Sequence, residues 1–498
     1  MIYKENDMKK RTLALILAAL MLLSSCSSGT GEETKAPSSE KKGTEKTEES
    51  AETAAETEED TSYKDDLGEH NYNGESFGIM TFENQNFHYA VTAEEMLALP
   101  INDAMYKATS DIEDRFNIDL EQVLYPDFSD DPRTAVMAGD TSSDLIRMRC
   151  GTDVSWWQQN LLVTADEVPN IDLDKPYWDK GVNESLTIAG KQFVAMSAFD
   201  LCTYDLTFAL IFNKDMITNH SLENPYELVN NGKWTMDKMN DMMLTVVSDL
   251  DGNGMFDEND RYGYVSHPKM VSPGFWIGAG LKIIEKDEND VPYLAISTEQ
   301  FTAFWDKLLD VTYSNNQYYG IDEAADIPPT ARKMFSEGKA LFMDMSFFFI
   351  EELREMETDF GIIPYPKYDE NQSSYATRLC YYMPTVVPIT ITGERLDRAG
   401  VMLEALACVY ASNVIPAYYE IALKTKAARD EKSQGMLDII FNNRVIDLGD
   451  STFCGELRDG AMRQLFDSKN NTLASRAKSL EKIMKIKLSE LPGVGDAE

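Results

Sequence analysis

Twelve consecutive residues carry the sharpest chemical signal in this chain. Between Asp249 and Asp260, side-chain oxygens stand at positions one, three, five and nine: Asp249, Asp251, Asn253 and Asp257. Gly254 is at six, where such a loop turns sharply, and Met255 at seven offers a backbone carbonyl. A hard cation needs several oxygens converging from one short segment, and this spacing supplies them for calcium. Asp260 at twelve stands where a bidentate Glu is usual, which weakens the expected affinity or adds a water. Tyr262-Gly263-Tyr264 breaks any exiting helix, and no second loop of this kind occurs. The expectation is a structural Ca2+ that pins one loop and does not switch. An acidic turn without metal is the alternative.

Aromatic residues form a second group, beside polar partners in sequence. The candidates for ligand contact are Arg149, Trp156, Trp157, Asp200, Tyr204, Asp205, His267, Phe275, Trp276, Phe347, Phe348, Tyr381 and Tyr382. Sugar rings pack their apolar faces on aromatic planes and leave hydroxyls for carboxylates, amides and guanidinium groups. Core packing is the competing role for each aromatic and the expected one for most. Catalytic signatures are missing: there is no H-E-x-x-H, no G-x-S-x-G and no G-x-x-x-x-G-K-[ST]. A glycoside hydrolase needs two carboxylates, but nothing singles out a pair among 85 acidic residues. No catalytic residue is assigned, and the chain is read as a non-enzyme.

The elements that must position these groups follow from periodicity. Phe77 to Met80 reads as a strand, Met105, Ala108, Ile112 and Phe116 recur at helical spacing, and Ile118-Asp119-Leu120 alternates like a strand. A short helix near Thr134 to Met137 precedes a strand at Leu145 to Met148. This order implies a parallel sheet with covering helices. Phe208 to Phe212 repeats the strand signal, and further helices are expected over 300–312, 330–338, 396–410 and 434–444. After Cys26, five widely spaced cysteines remain and none forms a C-x-x-C, so neither a disulfide framework nor a zinc site is read.

The N-terminus is different in kind. Lys9, Lys10 and Arg11 precede an apolar run from Leu13 to Leu23, then Leu23-Ser24-Ser25-Cys26. This resembles the lipobox of bacterial lipoproteins, which implies cleavage before Cys26, its lipidation, and an anchor on the extracytoplasmic face of the cell membrane. An ordinary signal peptide with an incidental cysteine is the other reading. Residues 27–70 hold 14 Asp and Glu against five Lys, a net of −9, with almost no large apolar residues. Such a segment cannot offset its ordering entropy and is expected to be a disordered tether. Its coil reach is roughly 35–40 Å. The formal charge of the whole chain, −39, disfavours nucleic acid and anionic lipid as partners. Membrane attachment is therefore expected through the lipid alone. No second apolar span long enough to cross a membrane is read.

Several segments then resemble extracellular solute-binding proteins (family 1 type) of bacterial ABC importers, in that family's order. They are Ala135 to Asp140 with Ser143-Asp144-Leu145-Ile146, Leu210 to Asp215, Asn224 to Val229 with Gly232-Lys233-Trp234-Thr235, and Ala340-Leu341-Phe342 with Phe360 to Pro366. The resemblance implies a two-lobed, periplasmic-binding-protein-like α/β fold, each lobe a sheet flanked by helices. It implies crossings near 198–206, 378–384 and 445, with family cleft positions near Arg149, Asp205, Trp276 and Phe348. The expected division is a signal peptide at 1–25, the tether at 26–70, one lobe of 71–200 plus 380–445, and a second of 201–379 plus 446–498. The implied function is capture of a carbohydrate by hinge closure and delivery to ABC permease subunits, as a monomer. A surface-anchored glycoside hydrolase and an adhesive surface lipoprotein are the alternatives.

Overall fold

The structure is a computed structural model that describes residues 63–83, 90–125, 132–325, 327–349, 356–423 and 431–495. Cys26, the signal segment and most of the tether lie outside the described residues. Sixteen strands are described. The first six are β1 (Glu75–Phe82), β2 (Ile118–Tyr125), β3 (Leu145–Arg147), β4 (Leu162–Val163), β5 (Thr187–Ile188) and β6 (Lys191–Gln192). Next come β7 (Phe208–Asn213), β8 (Tyr262–Ser266), β9 (Ile284–Lys286), β10 (Pro292–Leu294) and β11 (Tyr318–Gly320). The last five are β12 (Ala340–Ser346), β13 (Phe360–Ile363), β14 (Thr377–Arg378), β15 (Thr385–Pro388) and β16 (Arg444–Val445).

Two five-stranded sheets carry the architecture, ordered β2-β1-β3-β15-β4 and β11-β8-β12-β7-β13. In the first, β1 pairs in parallel with β2 and β3, as the strand–helix alternation implies. β15 enters between β3 and β4 and runs antiparallel to both, so the sheet is mixed. Its registration is set by residues more than 200 positions away, beyond the reach of local periodicity. The second sheet repeats the plan, with β7 antiparallel to β12 and β13. The segments leading into β7 and out of β13 join the two sheets and bond to each other, Thr207 bridging Leu379, and β14 in the second of them pairs in parallel with β16.

Local chemistry explains the motifs. Helix Pro100–Phe116 buries Ile101, Met105, Ala108, Ile112 and Phe116 on one stripe and ends at Asn117, whose φ of 46° is left-handed. Buried Asp144 accepts from the Gly78 amide at 3.1 Å and pairs with Arg395 at 2.8 Å, locking β1 to the segment before β3. Asn213 caps helix Lys214–Asn219 through Met216 N at 2.9 Å. Thr235 caps helix Met236–Val246, while the Trp234 indole donates to the Pro364 carbonyl at 2.9 Å.

Three findings depart from the sequence reading. Residues 63–70 are fastened to the first lobe and do not belong to a free tether. Tyr63 N donates to Ser412 Oγ at 3.0 Å, Arg115 forks onto Asp65 at 2.5 and 2.8 Å, and Lys175 pairs with Asp66 at 2.5 Å. Composition averaged over 27–70 hid these specific partners. Helix Glu431–Asn442, expected with the first lobe, packs on β13 and on helix Pro225–Asn230 of the second sheet's layer. Finally, Glu394–Ile421 is long and apolar enough to cross a membrane, although its most apolar window is 67% buried inside the fold. This helix passes through a π turn at Tyr410–Val414 just before Pro416, which has no N–H to give the preceding turn.

Candidate functional site

A polar cluster forms where the β13–β15 segment and the residues after β16 meet the helix that follows β3. Asp153 opens helix Asp153–Gln158 after β3 and is fully buried. Its carboxylate accepts from Gly151 N at 3.0 Å, from Thr452 Oγ1 at 2.8 Å and from the Tyr382 hydroxyl. Tyr382 Oη also lies 2.8 Å from Thr452 Oγ1. Burial pushes the Asp153 carboxyl above its ordinary range, opposed by these hydrogen bonds. Next to it, half-buried Tyr381 accepts from Arg458 Nη2 at 2.7 Å, with the guanidinium 5.2 Å from its ring centre. Tyr382→Phe leaves Asp153 short of a donor while keeping the ring. It is expected to cost about 1–3 kcal/mol in a denaturant melt, and an unchanged midpoint would show the bond to be dispensable.

The second lobe contributes the start of helix Pro268–Gly278. His267 caps it, with Nδ1 accepting from Lys269 N at 3.0 Å. Its Nε2 lies 3.3 Å from Asp322 Oδ1, and Arg463 holds the other Asp322 oxygen at 2.8 Å. The rest of the helix is enclosed. Gly274 lies so close to Tyr365 that a Cβ there would sit 2.4 Å from its ring. Such close packing on all sides puts Phe275 and Trp276 in the core.

The expected ligand residues therefore divide. Arg149 is exposed in the loop after β3, and Phe348 and Tyr381 are half-buried. Trp156 and Trp157 are interior, the latter 5.6 Å from Phe193. Phe275 meets Tyr264 edge-on at 5.7 Å, and Trp276 Nε1 donates to Asp447 at 2.9 Å. Phe347 packs on Phe441 at 4.6 Å. Asp200 is spent on Thr385 (Oγ1 at 2.7 Å, N at 3.1 Å) and Ser197 N (3.0 Å), near buried Arg147 at 3.7 Å. Burial raises its pKa, with Arg147 acting against that rise. Asp205 accepts from Tyr418 Oη at 2.9 Å. Tyr204 is buried beneath Arg444, 4.2 Å from its ring centre. Interior aromatics and partly exposed ones have the same residue types, so spacing could not separate them. Arg458, Thr452 and Asp153 were missed because isolated polar residues carry no sequence period.

The Asp249–Asp260 loop links helix Met236–Val246 to β8 and is closed by mutual Ser248–Arg261 backbone bonds of 3.1 and 3.0 Å. Gly252 and Gly254 adopt left-handed φ of 70° and 78°, which admits glycine at no steric cost. Asp249 accepts from Gly254 N at 2.8 Å and Gly252 N at 2.7 Å. The Gly254 amide first, and the Gly252 amide after it, hold that carboxyl below its usual range. Buried Asp260 accepts from Leu250 N at 2.8 Å and Asp257 N at 2.9 Å. Carboxylate oxygens of Asp249, Asp251 and Asp260 all lie within 4.8 Å of one another. Asn253 Oδ1 and Asp257 Oδ1 instead accept from Met255 N at 2.6 Å and Asn259 N at 2.8 Å. Three carboxylates that converge from one loop are oxygen ligands of the kind a hard cation takes.

No protein-family model and no curated protein sequence matches the chain. Solved structures do. UspC of M. tuberculosis superposes with a TM-score of 0.56 at 12% identity, over 82% of this chain and 98% of that one. The GacH receptor of Streptomyces glaucescens, solved unliganded and with acarbose, gives 0.52 at 14% identity, over 83% and 98%. An ABC substrate-binding protein of Listeria monocytogenes in complex with cycloalternan gives 0.51 at 11% identity, over 84% and 99%. At these identities the likeness establishes the two-lobed, periplasmic-binding-protein-like fold.

Proposed function

We propose that this chain is the solute-binding component of an ABC importer, and that it captures a carbohydrate, an oligosaccharide in preference to a single ring, by closing two lobes about the segments that join them. The observation that carries this reading is the pair of matching sheets joined by bonded segments, on a fold shared with proteins crystallised with acarbose and cycloalternan. Arg149, Phe348 and Tyr381, the candidates that are not buried, are the ligand contacts of this reading. A ligand that touches both lobes only when they are closed shifts the population toward that form. Capture leaves the sugar unaltered, and the closed form docks on membrane permease subunits. Cys26 carries the lipid that holds the protein, as a monomer, at the extracytoplasmic face of the membrane.

Isothermal titration against a glycan panel tests the central claim. The expected result is saturable binding of an oligosaccharide that is recovered intact, with a smaller radius of gyration in solution scattering. Binding of peptides alone sinks the carbohydrate reading, and turnover of the glycan replaces it with the hydrolase.

The same proposal includes a structural Ca2+ held by Asp249, Asp251 and Asp260. At 100 times its dissociation constant, calcium should add about 2.7 kcal/mol to stability. Chelator should lower the melting midpoint of the wild type, and Asp251→Ala should abolish that response. Equal midpoints with and without chelator, and no calcium in the purified protein, count decisively against it.

A further inference from the structure

A cavity of about 550 Å³ lies where the segment before β7 and strand β16 meet helix Ile415–Leu423. It shares no residue with the Asp153–Tyr382–Thr452 cluster, and its volume is in the range of small-molecule pockets. Six aromatic side chains line it: Tyr63, Tyr177, Trp178, Tyr204, Tyr419 and Phe441. Two groups of rings are in contact: Tyr204 and Tyr419 lie 5.2 and 5.1 Å from Phe441, and Tyr63 is edge-on to Tyr177 at 6.3 Å.

Arg444 is the notable polar group on this wall. It is 6% exposed and lies over the Tyr204 ring. Its Nη2 pairs with Asp179 Oδ2 at 2.5 Å. Asp179 is held in turn as the cap of helix Lys180–Leu186 through Val182 N at 3.2 Å. Nε and Nη1 of Arg444 have no hydrogen-bond partner. A guanidinium carries five N–H donors; the Asp179 carboxylate and the neighbouring Tyr204 hydroxyl are the acceptors beside them, which leaves Nε and Nη1 short of a charged partner. Buried donors without acceptors are costly, and a charged acceptor returns more than a neutral one. The other charged groups on the lining are Lys175, already paired with Asp66, together with Asp174 and Lys180.

We propose that this cavity is a second small-molecule site and that its ligand is a carboxylate carried on a ring. The ring lies against the Tyr419 and Phe441 faces, and a carboxylate oxygen accepts from the unused N–H groups of Arg444. This goes beyond sugar capture, because it names a different ligand class at a different place.

The test is a thermal-shift titration of the full chain with sodium benzoate and sodium glucuronate, against benzyl alcohol and glucose as neutral counterparts. For a folded body of this size, a ligand at 100 times its dissociation constant raises the midpoint by about 3 °C. At least one carboxylate should give such a shift and its neutral counterpart should not. Benzoate alone points to an aromatic acid, and glucuronate alone to a sugar acid. Ile415→Trp, which fills the cavity from its helical wall, should abolish the response. Arg444→Lys, which keeps the charge beside Asp179, should weaken it at least tenfold. The proposal is overturned if neither carboxylate acts, if the neutral compounds act equally, or if the response survives Ile415→Trp. Glycan calorimetry on the same samples keeps the two readings apart, since lost sugar binding with an intact carboxylate response removes only the first.

Discussion

Asp450→Ala should lower the unfolding free energy by about 3–5 kcal/mol, the range for breaking a buried ion pair on one side. Arg378 in β14 and Asp450 just beyond β16 are both fully buried. Their contact is bidentate, with Nε to Oδ2 at 2.7 Å and Nη2 to Oδ1 at 2.8 Å. Arg458 donates to the Asp450 carbonyl at 2.9 Å and lies 3.4 Å from the same carboxylate. One carboxylate thus serves two guanidinium groups at the junction of the lobes. Removing it leaves Arg378 charged, buried and unpaired. The loss should appear as a lower urea midpoint with an unchanged denaturant slope. Adding Arg378→Met to Asp450→Ala should recover much of it, because an apolar replacement of a buried pair is often neutral. A single variant as stable as the wild type would refute the account.

Asp447→Asn should destabilise the protein more at about pH 4 than at about pH 7. Buried Asp447 accepts from Ile283 N at 2.7 Å, Trp276 Nε1 at 2.9 Å, Gly449 N at 2.8 Å and Ile284 N at 3.2 Å. Burial nonetheless pushes its carboxyl from 3.8 up to about 6, opposed chiefly by the Ile283 and Gly449 amides. A carboxyl raised on folding binds its proton more tightly in the native state. Its contribution is present below the unfolded pKa and is lost as pH rises through the folded one. Over that window the loss amounts to about 3 kcal/mol. Asparagine cannot ionise, so this part of the pH dependence disappears in the variant. Its amide also sets N–H against backbone N–H, a cost of about 1–3 kcal/mol at every pH. Urea melts of both proteins across the window decide it: a gap that stays constant with pH removes the ionisation argument.

Much of the fold was legible because its signals are local. The stripe from Met105 to Phe116 and the strand that follows it at Ile118 each depend on neighbours within a few residues, whereas the caps at Asn213 and Thr235 emerged only in the structure. The Asp249–Asp260 loop was legible for the same reason, since its oxygens, glycines and backbone bonds all come from one short segment. The aromatic candidates were not. Trp156, Trp157, Phe275 and Trp276 went to the interior, and nothing within a few residues of each distinguishes a core ring from an exposed one.

By itself, the sequence determined the strands at Phe77, Ile118, Leu145 and Phe208, the helix from Met105 to Phe116, and which twelve residues fold into an acidic loop. All of these are set by interactions between residues close along the chain. Only the tertiary structure decided that β15 enters the first sheet antiparallel, that Glu431–Asn442 packs on β13, that Asp153, Tyr382 and Thr452 meet, and that Arg458 bonds Tyr381. Those outcomes join residues tens to hundreds of positions apart, where burial and hydrogen-bond satisfaction act on the whole chain at once.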